Sequence, residues 1–172
     1  VKVIDDIMWN QGGARNLGVH LAKTPKLILT DLDHTFPERV FKDLLAMKIP
    51  NEIYKFRRSY NGKKISSAPN LFFCSKATYY KSLGVDEAFC GKYGHEDIYF
   101  FDLQKYLGTR FKKYRKEMII SHENNHHSLV RDADDNLKLL EIRREAIKNK
   151  TPFEAHSRKF LCFEWEEVKS NW

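Results

Sequence analysis

Two aspartates one residue apart, Asp31 and Asp33, follow the apolar run Leu27-Ile28-Leu29. Alternate residues of an extended segment share a face, so this spacing expects both carboxylates on one side of a strand end. Open α/β sheets bind their ligands at such ends. Two carboxylates so close repel, and a cation between them relieves the repulsion. Oxygen donors suit a hard divalent ion that also takes phosphate oxygens, and His34 or a later histidine tilts the choice from Mg²⁺ toward Mn²⁺. The plainer alternative is a solvated acidic turn capping the next helix.

A second group, Gly94-His95-Glu96-Asp97, stands at a helix start behind the glycine-containing loop of residues 86–94. Acids in a first helical turn often serve only the helix dipole. An aspartate there also keeps its charge near neutral pH, and can take a proton from a substrate hydroxyl within hydrogen-bond reach. A third group is His122, just after the run Met118-Ile119-Ile120, with His126 and His127 close behind. Any of the three is a candidate metal ligand, and a strand end holds His122 most rigidly.

The elements that must position these groups follow from periodicity. Strands are expected over residues 1–6, 26–30, 53–60, 70–75, 110–116 and 116–121, with a polar turn at 61–64. Helices are expected over 14–22, from Pro37 with Val40, Phe41, Leu44 and Leu45 in register, over 76–82, from Glu96 to the stop at Gly108, and over 134–148. The tail from 159 gives no secure pattern. Strands alternating with helices predict an α/β fold with a mostly parallel sheet.

The 172 residues suffice for one domain, and the first of them is Val1. Thirty Lys and Arg against 23 Asp and Glu leave a net charge of +7, which suits anionic partners or solubility alone. The densest basic cluster, residues 110–116, interleaves aromatics as a single-strand nucleic-acid binder would, but reads in preference as a strand with one solvated face. No apolar run is long enough for a transmembrane helix. Three widely spaced cysteines without a CxxC pair point to a reducing compartment, so a cytoplasmic or peripheral-membrane location is expected.

Two blocks carry a family resemblance. Asn10-Gln11-Gly12-Gly13-Ala14-Arg15-Asn16-Leu17-Gly18, followed by Thr30-Asp31-Leu32-Asp33, resembles the "G-x-A-R-N-x-G … D-x-D" core of GT-A fold glycosyltransferases. Gly84-Val85-Asp86-Glu87-Ala88-Phe89 through Gly94-His95-Glu96-Asp97 is similar to their acceptor-side block. Order and spacing agree over about residues 3 to 125. The nearest members are inverting galactosyl- and N-acetylhexosaminyl-transferases, including chondroitin polymerases.

The resemblance implies a GT-A, Rossmann-like fold with a mostly parallel sheet and a single domain. Residues 1–35 would be a remnant of the nucleotide-sugar and metal half, 36–130 the acceptor and catalytic half, and 131–172 a helical extension. The base-binding segment of the family would be short or absent at the N-terminus. Asp33 and His122 would ligate Mn²⁺ or Mg²⁺, with Asp31 on the metal or the donor ribose. Arg15, Asn16 and Asp5 would serve the donor, although no Gly-Ser-Thr follows Asp5-Asp6 as the family pattern requires. Asp97 would be the general base and Glu96 a holder of substrate hydroxyls. Asn70, Tyr93, Gly94 and His95 would contact the acceptor.

The implied reaction moves a hexose or N-acetylhexosamine from a nucleoside-diphosphate sugar, UDP for preference, to an acceptor hydroxyl with inversion. The acceptor would be a glycan, a lipid-linked group or a protein, and no nucleic-acid partner is expected. The alternatives are a catalytically incomplete nucleotide-sugar or carbohydrate-binding domain and a basic nucleic-acid-binding module.

Overall fold

The computed structural model describes residues 1–115, 119–122 and 131–168. In chain order the elements are β1 (Lys2–Val3), α1 (Gln11–Leu21), β2 (Lys26–Leu29), β3 (His34–Thr35), α2 (Glu38–Ala46), β4 (Ile53–Lys55), β5 (Arg57–Tyr60) and β6 (Lys63–Ile65). They continue as β7 (Phe72–Ser75), α3 (Lys76–Tyr80), a 3₁₀ turn (Glu87–Phe89), α4 (Glu96–Tyr106), β8 (Phe111–Lys113), β9 (Ile119–His122), α5 (Asp134–Lys148) and β10 (Trp165–Glu166). The chain divides into two compact units. Unit 1 comprises Val1–Leu21, Leu83–Leu103 and Arg131–Trp172, and unit 2 comprises Ala22–Ser82 and Gln104–Val130.

Unit 2 holds two four-stranded sheets, ordered β2-β7-β4-β8 and β3-β9-β5-β6. The expected single strand over 53–60 is broken at Phe56, which leaves the ladder to become fully buried between β4 and β5. Phe56 packs with Val40 and Leu44 of α2 and with Leu71, Phe73, Tyr114 and Ile120. Burying a side chain of this size is worth about 1.5–3 kcal/mol. Lys26 Nζ donates to the carbonyls of Leu44, Leu45 and Met47 at 2.6–3.1 Å, so a cation satisfies the exposed C-terminal end of α2. The Ser75 hydroxyl caps α3 by accepting from Thr78 N at 3.1 Å.

In unit 1, β1 pairs with β10, which gives the tail its place. Phe89 and Tyr99 stack at 5.6 Å, with Leu17, Val85, Phe100, Phe101, Leu140 and Phe163 buried in the same unit.

The architecture is mixed α/β with helices flanking mixed sheets, as expected. The parallel majority is not found. Among the described residues only β4–β8 and β5–β9 pair in parallel, and the other five strand pairs are antiparallel. The cause is local for β5–β6, where Asn61 and Gly62, both at positive φ, close a tight hairpin.

Candidate functional site

Unit 2 carries the aspartate pair. β2 ends at Leu29, and Asp31-Leu32-Asp33 forms a turn rather than the expected strand end. Leu32 is fully exposed at its tip, so it draws no strand into the core. Antiparallel pairing of β2 with β7 sets Leu29 against Phe72, and continuing that register places Asp31 opposite Asn70. The Asn70 side-chain amide donates to Asp31 Oδ2. Asn70, expected on the acceptor side, therefore stands with the aspartates. Its Oδ1 is buried with no hydrogen-bond partner among the described residues.

Asp33 is half-buried, its Oδ1 3.4 Å from Nδ1 of the buried His34 side chain. The His34 ring also meets the Thr30 hydroxyl at 3.1 Å. β3 pairs with β9 so that His34 lies opposite His122, and β9 in turn runs parallel to β5 with Ile120 beside Arg58. His122 thus takes a register position adjacent to Asp33. His126 and His127 lie outside the described residues. Burial lowers the pKa of Arg58, and the carboxylates of Asp33 and Asp31 push it back up. Arg58 is a residue that the sequence pattern did not single out.

Unit 1 carries the second acidic group. Glu96 and Asp97 occupy the first turn of α4, whose start is set by the His95 carbonyl accepting from Tyr99 N at 2.9 Å. Gly94 and His95 are both left-handed, with φ of 86° and 71°. A non-glycine residue there is strained. Asn136 of α5 holds this loop, its side-chain nitrogen lying 2.8–3.0 Å from the carbonyls of Phe89, Lys92 and Gly94. His95 Nδ1 is buried without a hydrogen-bond partner among the described residues. Glu96 is buried, with Arg15 of α1 3.9 Å away and itself nearly buried. Asp97 is more open, and its Oδ1 accepts from Ile98 N at 2.7 Å. Tyr93 meets Trp9 edge-on at 4.8 Å, with the Arg131 guanidinium over its ring at 5.5 Å.

Two residues expected on the donor side have structural partners. Asn16 is fully buried, and its amide is committed to the Val85 backbone and to Glu87 Oε1 at 2.8–2.9 Å. It joins α1 to the loop after Ser82. Asp5 accepts from Glu164 N at 2.8 Å, tying the N-terminal strand to the tail. The neighbouring acids of the acceptor-side block act as brackets. Glu87 accepts from the backbone amides of Leu161 and Cys162, and Asp86 accepts from Arg143 Nε at 3.0 Å and from Ser157.

No protein-family model matches the chain, and no curated protein sequence matches it. The structure is similar to the crystal structure of a mutant Drosophila β-1,4-galactosyltransferase 7 in complex with manganese, UDP-Gal and xylobiose. The TM-score is 0.55 at 14% sequence identity, covering 78% of this chain and 62% of that one. The fold is GT-A-like.

Among the described residues of this GT-A-like chain, no three His, Cys, Asp or Glu side chains gather as a metal cluster, the His122 side chain not being among those described. The donor chemistry at the turn nevertheless fits a hard divalent cation. Asp31 and Asp33 supply anionic oxygens, and Asn70 Oδ1 is a buried oxygen in want of a partner beside them. Among the described residues no helix is long and apolar enough to cross a membrane. Cys74, Cys90 and Cys162 are free thiols.

Proposed function

We propose that this chain is a metal-dependent inverting glycosyltransferase domain that takes a nucleoside-diphosphate sugar, with UDP the expected nucleotide, and an acceptor hydroxyl. The observation that carries the reading is the acidic turn after β2 in a GT-A-like fold, with Asn70 bound to Asp31 and Arg58 within electrostatic range of both aspartates. Asp33, Asp31 and His122 would hold Mn²⁺ or Mg²⁺. A divalent ion bound there supplies charge neutralisation to the departing diphosphate.

The remaining work falls to the chain's own groups. Arg58 offers its guanidinium to diphosphate oxygens, a geometry that a planar fork suits. Asp97 accepts the proton of the acceptor hydroxyl as that oxygen bonds to the anomeric carbon. The bond from that carbon to the diphosphate breaks, and the nucleoside diphosphate leaves with its electron pair. Glu96, held by Arg15, orients hydroxyls, and Tyr93 with His95 lines the acceptor side.

The test is thermal stability in Mn²⁺ and UDP, separately and together. The reading expects a rise that needs both, because only ligands of the folded state stabilise it. Asp33→Asn should abolish that rise. An unchanged rise in Asp33→Asn would remove the metal assignment. A rise without sugar transfer would favour the binding-domain alternative.

A further inference from the structure

Strands β4 and β8 run parallel with Lys55 directly opposite Lys113. Like charges at paired positions destabilise a sheet. Arg57 of β5 and Lys64 of β6 join them around a cavity of about 340 Å³, together with Ser66 and Ser67. None of the described residues lining it is acidic. Half-buried Ile65 gives it an apolar border. Burial, reinforced by Lys105 and Lys113, pushes the Lys55 ammonium below its ordinary value. A bound anion would relieve all of this repulsion. Arg57 lines this cavity, and its neighbour Arg58 donates from Nε to the carbonyl of the lining residue Ser66 at 3.1 Å.

We propose that this cavity is a binding site for a phosphate or sulfate ester carried on a ligand of about monosaccharide size, and that it works without a divalent metal. Its volume lies at the small end of the range for small-molecule sites. Arg57 supplies a planar fork to two ester oxygens, Lys64 and Lys113 supply charge, and the serine hydroxyls suit the remaining oxygens. Ile65 offers an apolar contact to a sugar ring.

The probes are a hexose 6-phosphate and a hexose 6-sulfate, with the unmodified hexose as control, titrated calorimetrically into the whole chain in EDTA. At least one ester should bind, more weakly as salt rises, and the bare hexose should not. Which ester binds identifies the source of the oxyanion. Lys64→Gln, an exposed position that the fold tolerates, should weaken binding about tenfold, the scale of one charge-assisted hydrogen bond. Arg57→Gln should weaken it at least as much. Binding should survive Asp33→Asn, which separates this site from the proposed donor site. The proposal is overturned if neither ester binds in EDTA, if both glutamine variants bind like the parent, or if Asp33→Asn abolishes binding.

Discussion

The Asn16 side-chain amide donates to the Glu87 carboxylate at 2.8 Å across 71 residues of chain, while Asn16 also holds the backbone of Val85. The pair makes the "ARN" helix and the "DE" loop one piece of unit 1. Asn16→Ala leaves a buried carboxylate short of a donor and two Val85 groups unsatisfied. The expected loss is about 2–4 kcal/mol, read as a lower urea midpoint with an unchanged slope. Asn16→Asp should lose at least as much, since it sets a second carboxylate against Glu87. A midpoint within error of the parent for both variants would mean that Asn16 does not bind these elements together.

Two glycines of α1 should respond in opposite directions to alanine. A methyl group at Gly13 would meet Phe163 Cε1 at 2.7 Å and collide with Asn10 Oδ1, whereas one at Gly18 meets nothing within 4 Å. Gly13→Ala should cost about 1–3 kcal/mol by overpacking, and Gly18→Ala should add about 0.5–1 kcal/mol through helix propensity. Thermal melts of the two variants side by side check the signs.

Unit 1 should weaken in acid in two stages. Burial holds the His156 imidazole below its ordinary value despite the attraction of Asp86, so it is neutral at neutral pH. Burial also pushes the Asp86 carboxyl up, but His156, the hydrogen bonds from Ser157 and Ala88, and Arg143 outweigh it and hold Asp86 low. With His156 neutral, the hydrogen bonds and Arg143 are what matter for Asp86 at neutral pH. Both groups bind protons more readily unfolded than folded, so stability rises with pH across each window. His156 takes stability away as pH falls below about 6.5, and Asp86 takes more below about 4. His156→Asn, which keeps an acceptor for Arg158 N, should flatten the first stage and leave the second. Equal losses for parent and variant between pH 7 and 5.5 would exclude His156 as the cause.

Arg58→Ala separates two ligands by sign. Removing a positive charge within electrostatic range of Asp31 and Asp33 leaves the carboxylates more attractive to a cation, so Mn²⁺ alone should bind as tightly or more tightly. Diphosphate binding in saturating Mn²⁺ should weaken about tenfold or more, the loss of a charge-assisted contact. Titrating Mn²⁺ and then UDP reads both effects. A parallel weakening of both ligands would point to a disrupted turn.

Much of the helical framework was legible because apolar residues recur at helical spacing and breakers stand where chain direction changes, as at Pro37 and Gly108. The aspartate pair was legible as a group but not in its shape. Alternation assumes an extended backbone, and the chain turns immediately after Leu29. Sheet direction was not legible either, since alternating elements do not distinguish crossovers from the return that pairs β2 with β7. The brackets were hidden for a different reason. Asn136 reaches carbonyls 42–47 residues away, and Glu87 reaches amides 74 and 75 residues away. No local pattern announces such partners. Arg58 was lost among other basic residues until the parallel register of β5 and β9 set it beside the strand that pairs with His34.

The central claim is sugar transfer with Asp97 as base, and the most direct measurement is release of UDP from UDP-sugars in Mn²⁺ across a panel of glycan acceptors. The parent chain should release UDP in step with a glycosidic product of inverted anomeric configuration. Asp97→Asn should lose at least about a hundredfold in turnover while keeping its metal-dependent UDP binding. Undiminished transfer by Asp97→Asn, or a product with retained configuration, would contradict the account.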